Sequence, residues 1–371
     1  MVARGGIDQS LECLTLASKG FPLRIFGVDS ATIFWQHKSI KKHWGQNLMK
    51  YLLVAFLAAV SFCSQAGTDI VYPPRSEIYS IPSLTISDKQ FLLGDKNGKE
   101  VTVNGILRFP PKPVSQKIPV IFLIHGSSGM GANIDYWSNH FLGQGYATFS
   151  MDGFTGRGLT VVGPNQALLG RLNLALDSYK AMEILAKHPR LDSNKFVMMG
   201  FSRGGQATLF ASVERFNKMW NKSGTVFAAH IPFYADCVTS YISDTKTTGK
   251  PIQLHHGITD DYNPITACRE YVGKLKAANQ NVEMFEYDFG PHAFDSPLGA
   301  VPPVVSKDAQ TVRSCRIVEK TAGNLINTQT NQEFKYSDAC VELNPHVGKD
   351  DDATQKATRE IDAFLANLFK N

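Results

Sequence analysis

The sequence lacks several features that would assign the protein to a specialised class. It has no apolar run of about 20 residues, the length that a membrane-spanning helix requires. It has no CxxC or HxxxH spacing of the kind that binds metals, and no Lys-Ser or Lys-Thr pair follows a glycine-rich turn as in phosphate-binding loops. We therefore expect no metal, no cofactor and no stable insertion of the mature protein in a membrane.

The chain also has little excess charge of either sign. Its 371 residues include 38 Lys and Arg, 33 Asp and Glu, and 43% apolar residues. Residues 1–66 hold seven of the basic and three of the acidic residues, so the remainder is nearly neutral, with 31 and 30. Because nucleic-acid-binding surfaces need a basic excess, we expect no nucleic-acid partner. The length favours one large globular domain with a deep core, although two are possible.

What is present near the N-terminus is typical of a signal peptide. The apolar run Tyr51 to Phe62 follows Lys50 and precedes Ser64-Gln65-Ala66, a small-x-small cleavage site. We expect residues 49–66 to be a cleaved signal peptide and residues 1–48 to be an upstream extension from a mis-assigned start. The mature protein would then be exported, either periplasmic or secreted. A buried N-terminal helix is the alternative.

Export would change how the cysteines are interpreted. Four of the six lie beyond the proposed cleavage site, at Cys237, Cys268, Cys315 and Cys340. An even number in an oxidising compartment predicts two disulfides, for which three pairings are possible. The shortest loops favour Cys237–Cys268 and Cys315–Cys340, and four buried thiols are the alternative.

Strand-like and helix-like patterns alternate through the rest of the chain. We expect residues 67–94 to be an N-terminal arm, with a Pro- and Ser-rich linker at 72–83, and residues 95–371 to be one domain. Residues 303–350 break the alternation, and we expect a Cys-containing insertion there that a disulfide pins. The predicted strands are 101–109, 119–124, 146–151, 195–199, 226–234, 252–255 and 282–287; the predicted helices include 169–187, 206–220, 264–278 and 353–369. This order indicates βαβ units and a mostly parallel sheet with helices on both faces.

The run Gly200-Phe201-Ser202-Arg203-Gly204 fits the pattern G-x-S-x-G at a predicted junction between a strand and a helix. A sharp turn there would expose the serine hydroxyl, and Gly200 and Gly204 are needed because a Cβ atom would clash. The helix that follows would direct its N-terminal amides toward developing negative charge. We expect Ser202 to be a nucleophile; a structural glycine turn is the alternative.

A serine hydroxyl attacks poorly without a base and a carboxylate that orients the base. Asp260 and Asp261 follow one predicted strand, and His292 follows the last one. The carboxyl ends of strands are where such sheets collect active sites. We expect His292 to take the proton of Ser202, with Asp260 or Asp261 fixing the imidazole tautomer.

A second glycine- and serine-rich turn, His125-Gly126-Ser127-Ser128-Gly129, follows an earlier predicted strand. We expect the amide of Arg203 and one amide from Ser127 or Ser128 to form an oxyanion hole for a tetrahedral intermediate. A small-residue turn without a chemical role is the alternative.

With these residues, the chain over roughly 95–370 resembles the dienelactone-hydrolase-like branch of the α/β-hydrolase superfamily. In that group a run H-G-x-x-D-x-x-x-P carries the acid, and its match at His256 to Pro264 selects Asp260 over Asp261. Residues 152–158, D-G-F-T-G-R-G, are similar to a run common in exported relatives. The resemblance suggests that Asp152 and Arg157 line the substrate cleft, with Arg157 as a carboxylate anchor or as part of a structural ion pair.

The resemblance implies an enzyme that cleaves small-molecule esters with a Ser-His-Asp triad. Dienelactone hydrolases proper use a cysteine nucleophile, whereas this chain has Ser202, so activity on dienelactones is not implied. One alternative is a serine peptidase of the prolyl-oligopeptidase type, although such enzymes usually carry a large propeller domain. The other is a catalytically silent binding protein on the same fold, which would be expected to lose a member of the triad.

Overall fold

The computed structural model describes residues 75–111 and 116–370. The proposed signal peptide and the extension before it lie outside the described residues. In the part that is described, an eight-stranded sheet runs through the centre of the protein, in the order β1-β2-β4-β3-β5-β6-β8-β9. The strands are β1 Ser76–Thr85, β2 Lys99–Arg108, β3 Ile118–Ile124, β4 Ala147–Asp152, β5 Leu191–Phe201, β6 Ala229–Phe233, β8 Ile252–Gly257 and β9 Val282–Tyr287.

Pairing in this sheet is parallel from β4 through β3, β5, β6 and β8 to β9, and antiparallel only where β1 meets β2 and β2 meets β4. The central strand β3, Ile-Pro-Val-Ile-Phe-Leu-Ile, is buried at nearly every position, because a parallel sheet is covered on both faces. The predicted α/β-hydrolase architecture is confirmed.

Seven α-helices lie among the described residues, in addition to single 3₁₀ turns at Thr155–Arg157 and Gln166–Leu168. They are α1 Asp88–Leu93, α2 Ala132–Gly143, α3 Asn173–Leu185, α4 Arg203–Ala211, α5 Glu214–Trp220, α6 Ile265–Ala277 and α7 Asp351–Phe369. None of these helices combines the length and the apolar character needed to cross a membrane.

Two hydrophobic cores form, one on each face of the sheet. Along β5, Phe196 and Met198 belong to one core and Val197 and Met199 to the other, as the two-residue period of a strand requires. Helices α3 to α6 pack on the first face, and α2 and α7 pack on the second. The sheet is thereby held rigid, and the loops at its carboxyl edge are left free for chemistry.

Residues 76–83, part of the stretch 72–83 that we interpreted as a linker, differ from the sequence prediction because they lie in strand β1. Strand β1 pairs with β2 along its whole length, from Ser76 opposite Arg108 to Thr85 opposite Lys99. Pro82 is tolerated because β1 lies at the edge of the sheet, where a missing N–H leaves no ladder partner unpaired. The helix predicted at 206–220 is also two helices, α4 and α5, separated at Val213, whose backbone is extended.

The two predicted disulfides are present, joining Cys237 to Cys268 and Cys315 to Cys340. The predicted insertion at 303–350 consists of short strand pairs. They are β10 Val304–Val305 with β16 His346–Val347, β11 Gln310–Thr311 with β15 Glu342–Leu343, and a sheet of β12 Ile317–Thr321, β13 Asn324–Asn327 and β14 Gln332–Glu333. Strand β7, Thr239–Ser240 of the main domain, pairs with β12 and extends this sheet. Arg215 also donates two hydrogen bonds, of 2.6 and 2.7 Å, to the buried carboxylate of Glu319, which ties the insertion to the main domain.

Candidate active site

Ser202 occupies the sharp turn between β5 and α4. Its backbone has φ 55° and ψ −113°, a conformation that side-chain-bearing residues rarely adopt. A Cβ atom on Gly200 would lie 2.2 Å from the carbonyl oxygen of Gly204, and one on Gly204 would lie 2.1 Å from the carbonyl oxygen of Ile124. The turn can therefore form only with glycine at both positions. Because of this strained turn, the Ser202 side chain projects from the carboxyl edge of the sheet.

His292 connects this serine to an aspartate. Its Nε2 atom lies 2.9 Å from Ser202 Oγ, and its Nδ1 atom lies 2.8 Å from Asp260 Oδ2. The other carboxylate oxygen of Asp260 accepts hydrogen bonds from the backbone amides of Tyr262 and Asn263, each at 2.8 Å. The structure thus brings together three of the side chains that the sequence predicted as catalytic, with Asp260 held in one orientation.

The neighbours of Asp260 keep it ionised. Burial alone would raise its pKa, but His292, followed by His256, outweighs burial and holds the pKa of this carboxyl below its usual range. Asp261 lies elsewhere: its carboxylate accepts hydrogen bonds of 2.8 Å from the backbone amide and Nδ1 of His346 and pairs with Arg313. Only Asp260 of the two can act on His292.

Two aromatic rings that the sequence analysis did not single out enclose His292. The Tyr262 ring lies 4.5 Å from the imidazole at an interplanar angle of 26°, and the Tyr234 ring lies 4.8 Å away at 62°. The hydroxyl of Tyr234 donates to Asp295 at 2.6 Å, and Trp137 Nε1 donates to the same carboxylate at 2.8 Å. The imidazole can therefore move little from its position between Ser202 and Asp260.

The turn after β3 lies directly against Ser202. A Cβ atom on Gly126 would be 3.1 Å from the carbonyl oxygen of Phe201 and 3.3 Å from Ser202 Cβ. The backbone amides of Ser127, Ser128 and Arg203 donate to no backbone carbonyl among the described residues. Free amides beside the serine hydroxyl are what an oxyanion hole needs.

His125 sets the shape of this turn. Burial lowers the pKa of the imidazole, so the ring is neutral near neutral pH. Its Nδ1 lies 2.8 Å from the carbonyl oxygen of Gly126, and its Nε2 accepts a hydrogen bond of 3.1 Å from the Gly153 amide. The neutral ring therefore ties the turn to the loop after β4.

Gln166 is a further residue that the sequence analysis missed. Its side-chain oxygen accepts hydrogen bonds from Ser127 Oγ at 3.2 Å and from Arg203 Nη2 at 2.6 Å. Its side-chain nitrogen donates to the hydroxyl of Tyr262 at 3.3 Å. One amide thus links the serine-rich turn at 126–129, the turn that holds Ser202 and the tyrosine ring against His292. No sequence pattern marked it, because it lies in an irregular segment.

Asp152 and Arg157, which were expected in the cleft wall, do not line either cavity at Ser202, and Arg157 forms the structural ion pair that was its alternative role. Arg157 forms a two-pronged ion pair with Asp177, with N–O distances of 2.7 and 2.9 Å, and both side chains are buried. Asp152 accepts hydrogen bonds from the amides of Phe154 and Thr155 and stabilises the turn after β4. Both residues hold the loop in place, because a buried guanidinium needs a carboxylate partner.

Two cavities of very different size open at Ser202. The larger, about 480 Å³, includes His292 in its wall, together with exposed apolar groups such as Leu298 and Val304. The smaller, about 30 Å³, has mostly polar walls. Among the described residues, no cluster of His, Cys, Asp or Glu has the grouping of a metal site.

A mostly parallel sheet with a strained serine turn, followed along the chain by an acid and a histidine, defines an α/β hydrolase. The model of the dienelactone hydrolase family matches residues 103–318. The chain belongs to this family and is a hydrolase that cleaves ester bonds.

Solved structures of low sequence identity share the fold. One is the dienelactone hydrolase-like promiscuous phosphotriesterase P91 from metagenomic libraries, 12% identical over 79% of this chain and 98% of that chain, with a TM-score of 0.52. Another is the protein m3DLH, 14% identical over 80% and 99% of the two chains, with a TM-score of 0.51. No curated protein matches the sequence.

Proposed function

We propose that the protein is an exported serine esterase that cleaves carboxylic esters through a covalent acyl-enzyme, with Ser202, His292 and Asp260 as its catalytic triad. The observation that carries the proposal is the unbroken hydrogen-bonded chain from Ser202 Oγ through His292 to Asp260, with distances of 2.9 and 2.8 Å. Such a chain is the arrangement by which a base activates a serine hydroxyl.

In the first half of the reaction, His292 Nε2 takes the proton of Ser202 while Oγ bonds to the carbonyl carbon of the ester. The carbonyl oxygen becomes an oxyanion, which the amides of Arg203 and of Ser127 or Ser128 would stabilise. The bond between that carbon and the alcohol oxygen then breaks. The leaving oxygen takes the proton from His292, and the acyl group stays on Ser202.

In the second half, water takes the place of the alcohol. His292 Nε2 removes a proton from the water, whose oxygen bonds to the acyl carbon of the Ser202 ester. The new oxyanion collapses, the bond to Ser202 Oγ breaks, and Oγ recovers the proton from His292. Asp260 stays ionised throughout and stabilises the imidazolium that exists between the two proton transfers.

Two observations support export. Disulfides persist in oxidising compartments and are rare in the cytosol, and this chain has two, Cys237–Cys268 and Cys315–Cys340. The sequence of residues 49–66 has the order of a signal peptide: a positive charge, an apolar stretch and a small-residue cleavage site.

The direct test is labelling of the mature protein with a fluorophosphonate, which reacts only with an activated serine. Mass spectrometry should find one adduct, on Ser202, and Ser202→Ala should abolish it. An exposed serine such as Ser80 should stay unmodified. Folded protein with both disulfides intact that takes up no label would contradict the proposal and favour a catalytically silent binding protein.

A second comparison separates the esterase from a peptidase. Short acyl esters of 4-nitrophenol and peptidyl 4-nitroanilides release related chromophores and can be assayed side by side. We expect kcat/KM for the esters to be the larger by far. Faster cleavage of the amides, with Ser202 still labelled, would replace the esterase by a peptidase that uses the same triad.

A further inference from the structure

We propose that the small cavity beside Ser202 is a subsite for a short acyl group that carries a hydroxyl, and that the large cleft receives an apolar alcohol portion. The inference rests on the proposed esterase function and specifies its substrate class. We call the small cavity the polar acyl pocket; its wall includes Arg203, Gln206, Asp236, Tyr262, Asn263 and Tyr336.

The position of His292 orients the substrate. His292 lies in the wall of the large cleft and is not part of the wall of the polar acyl pocket. The leaving alcohol must receive its proton from His292 Nε2, so the alcohol portion has to lie in the cleft on that side. Ser202 borders both cavities. The acyl portion then points the other way, into the polar acyl pocket.

The volumes of the two cavities limit the size of each portion. The large cleft, about 480 Å³, is in the range of sites that hold a whole small molecule. The polar acyl pocket is about 30 Å³. Because one water needs about 10–15 Å³ on this scale, the pocket admits a chain of only two or three heavy atoms. Long acyl chains do not fit.

Hydrogen-bond acceptors without a donor in the pocket favour an acyl group that carries a donor. Gln206 donates its side-chain N–H to Asp236 at 3.0 Å, and Asn263 donates its own to the Tyr234 carbonyl at 2.9 Å. Within the described part of the chain, the side-chain oxygens of Gln206 and Asn263 accept no hydrogen bond. A hydroxyl on the acyl group could donate to either oxygen.

Arg203 has no N–H left for a negatively charged acyl group. Its N–H groups donate to the backbone and side-chain oxygens of Gln166 and to the carbonyls of Leu169 and Gly170. The carboxylate of Asp236 also faces the pocket. A second carboxylate would therefore gain no donor from Arg203 and would be repelled by Asp236.

A positively charged acyl group fits no better. Asp236 is already paired with the buried guanidinium of Arg171, and Arg203 adds a second positive charge. An alkyl group would cover Asp236 and Gln206 without replacing the hydrogen bonds that water makes to them. A neutral hydroxyl avoids the repulsion between an anion and Asp236, the repulsion between a cation and the two arginines, and the loss of hydrogen bonds under an alkyl group.

The test compares two acyl groups of the same size on one alcohol. Glycolyl and propionyl esters of 2-naphthol differ only by a hydroxyl in place of a methyl group. Each kcat/KM is divided by the rate of hydroxide-catalysed hydrolysis of the same ester, which removes the electronic effect of the hydroxyl. We expect the corrected ratio to favour glycolyl by at least about tenfold, because a missing donor leaves buried acceptors unpaired.

A matched pair of variants tests the pocket itself. Gln206→Met keeps the length of the side chain but removes its open acceptor, together with the N–H that donates to Asp236, and we expect the glycolyl preference to fall at least about fivefold. Gln355→Met makes the same exchange at an exposed position of α7 and should keep the preference of the unmodified protein. The readout is a ratio within each variant, so a partial loss of folded protein does not affect it.

Three outcomes would overturn the inference: no glycolyl preference, a preference unaffected by Gln206→Met, or a hexanoyl ester cleaved as fast as the propionyl ester. Faster cleavage of the anionic malonyl ester or the cationic glycyl ester than of the glycolyl ester would also refute a neutral occupant. Fluorophosphonate labelling of Ser202 separates these failures from failure of the proposed function, since labelling persists in the first case and is absent in the second.

Discussion

The ring of Tyr262 stacks on the imidazole of His292, with 4.5 Å between ring centroids and 26° between their planes. The backbone amide of the same tyrosine donates to Asp260 at 2.8 Å. One residue therefore contacts both groups that would control the proton of Ser202 in the proposed mechanism. An aromatic face would also favour the positively charged imidazolium that this mechanism requires.

This stacking predicts a difference between two variants of Tyr262. Tyr262→Phe keeps the ring and should retain most of the activity. Tyr262→Leu removes it, and kcat for a 2-naphthyl ester should fall about three- to thirtyfold, since such contacts contribute about 0.5–2 kcal/mol. Circular dichroism serves to confirm that both variants are folded. Equal kcat values for the two variants would show that the Tyr262 ring does not contribute to the reaction.

Adjacent aspartates offer a matched test of the acid. Asp260→Asn should lower kcat by about 10³–10⁴, because the amide no longer favours the required imidazole tautomer or its protonated form. Asp261→Asn affects only partly exposed bonds to His346 and Arg313, and kcat should change by less than about threefold. Steady-state kinetics on one ester decides the matter; comparable losses in both variants would show that the acid is misassigned.

The disulfide between Cys315 and Cys340 should matter for both stability and activity. It closes a loop with a sequence separation of 25, and removing it by Cys315→Ala/Cys340→Ala should cost about 3 kcal/mol of unfolding free energy. The insertion also holds the loop of the acid, since Thr311 Oγ1 donates to the carbonyl of Tyr262 at 2.6 Å. We therefore expect a lower kcat. Urea unfolding measures the stability of the double variant. An unfolding free energy equal to that of the unmodified protein would contradict this account.

Buried His230 predicts loss of stability in mild acid. Burial lowers its pKa to about 3, whereas an unfolded histidine has a pKa of about 6.5. Between these values the unfolded chain binds a proton that the folded protein does not, so the stabilisation present above pH 6.5 is lost as the pH falls toward 3. From pH 7 to pH 5 this histidine alone should cost about 2 kcal/mol.

His230→Leu removes that titration. Urea unfolding at pH 7 and pH 5 should therefore show a decrease in unfolding free energy that is smaller in the variant by about 2 kcal/mol. Gln355→Leu, at an exposed position of α7, provides the control, because it replaces a side chain that does not titrate. An identical pH dependence in His230→Leu and the unmodified protein would mean that His230 is protonated in the folded state.

The parts of the fold that were predictable are those whose residues carry a strong periodic pattern. The continuous apolar run at 119–124 became the buried strand β3, and the run at 282–287 became β9. The edge strand β1 was missed because Pro82 and three serines obscure its alternation. An edge strand buries only part of its side chains, so its sequence need not be strongly apolar.

The residues of the candidate site also divide into those that the sequence pattern predicted and those that it did not. Ser202, Asp260 and His292 could be predicted because each follows a strand and the order of the three along the chain is informative. Gln166 and Tyr262 could not, because their roles depend on irregular segments that meet only in the folded protein. For Arg157 the sequence left a carboxylate anchor and a structural ion pair open, since nothing in it reveals that Asp177, 20 residues away on α3, is the partner.

The backbone contact at Gly204 has a consequence for engineering this enzyme. With the carbonyl of Ile124 only 2.1 Å from where a Cβ would be, the turn that holds Ser202 and the end of β3 are packed together without spare volume. Libraries aimed at new substrates would lose nearly every member that varies Gly200 or Gly204. The productive positions are the cleft residues such as Leu298, whose exposed side chain can change in size without displacing any backbone.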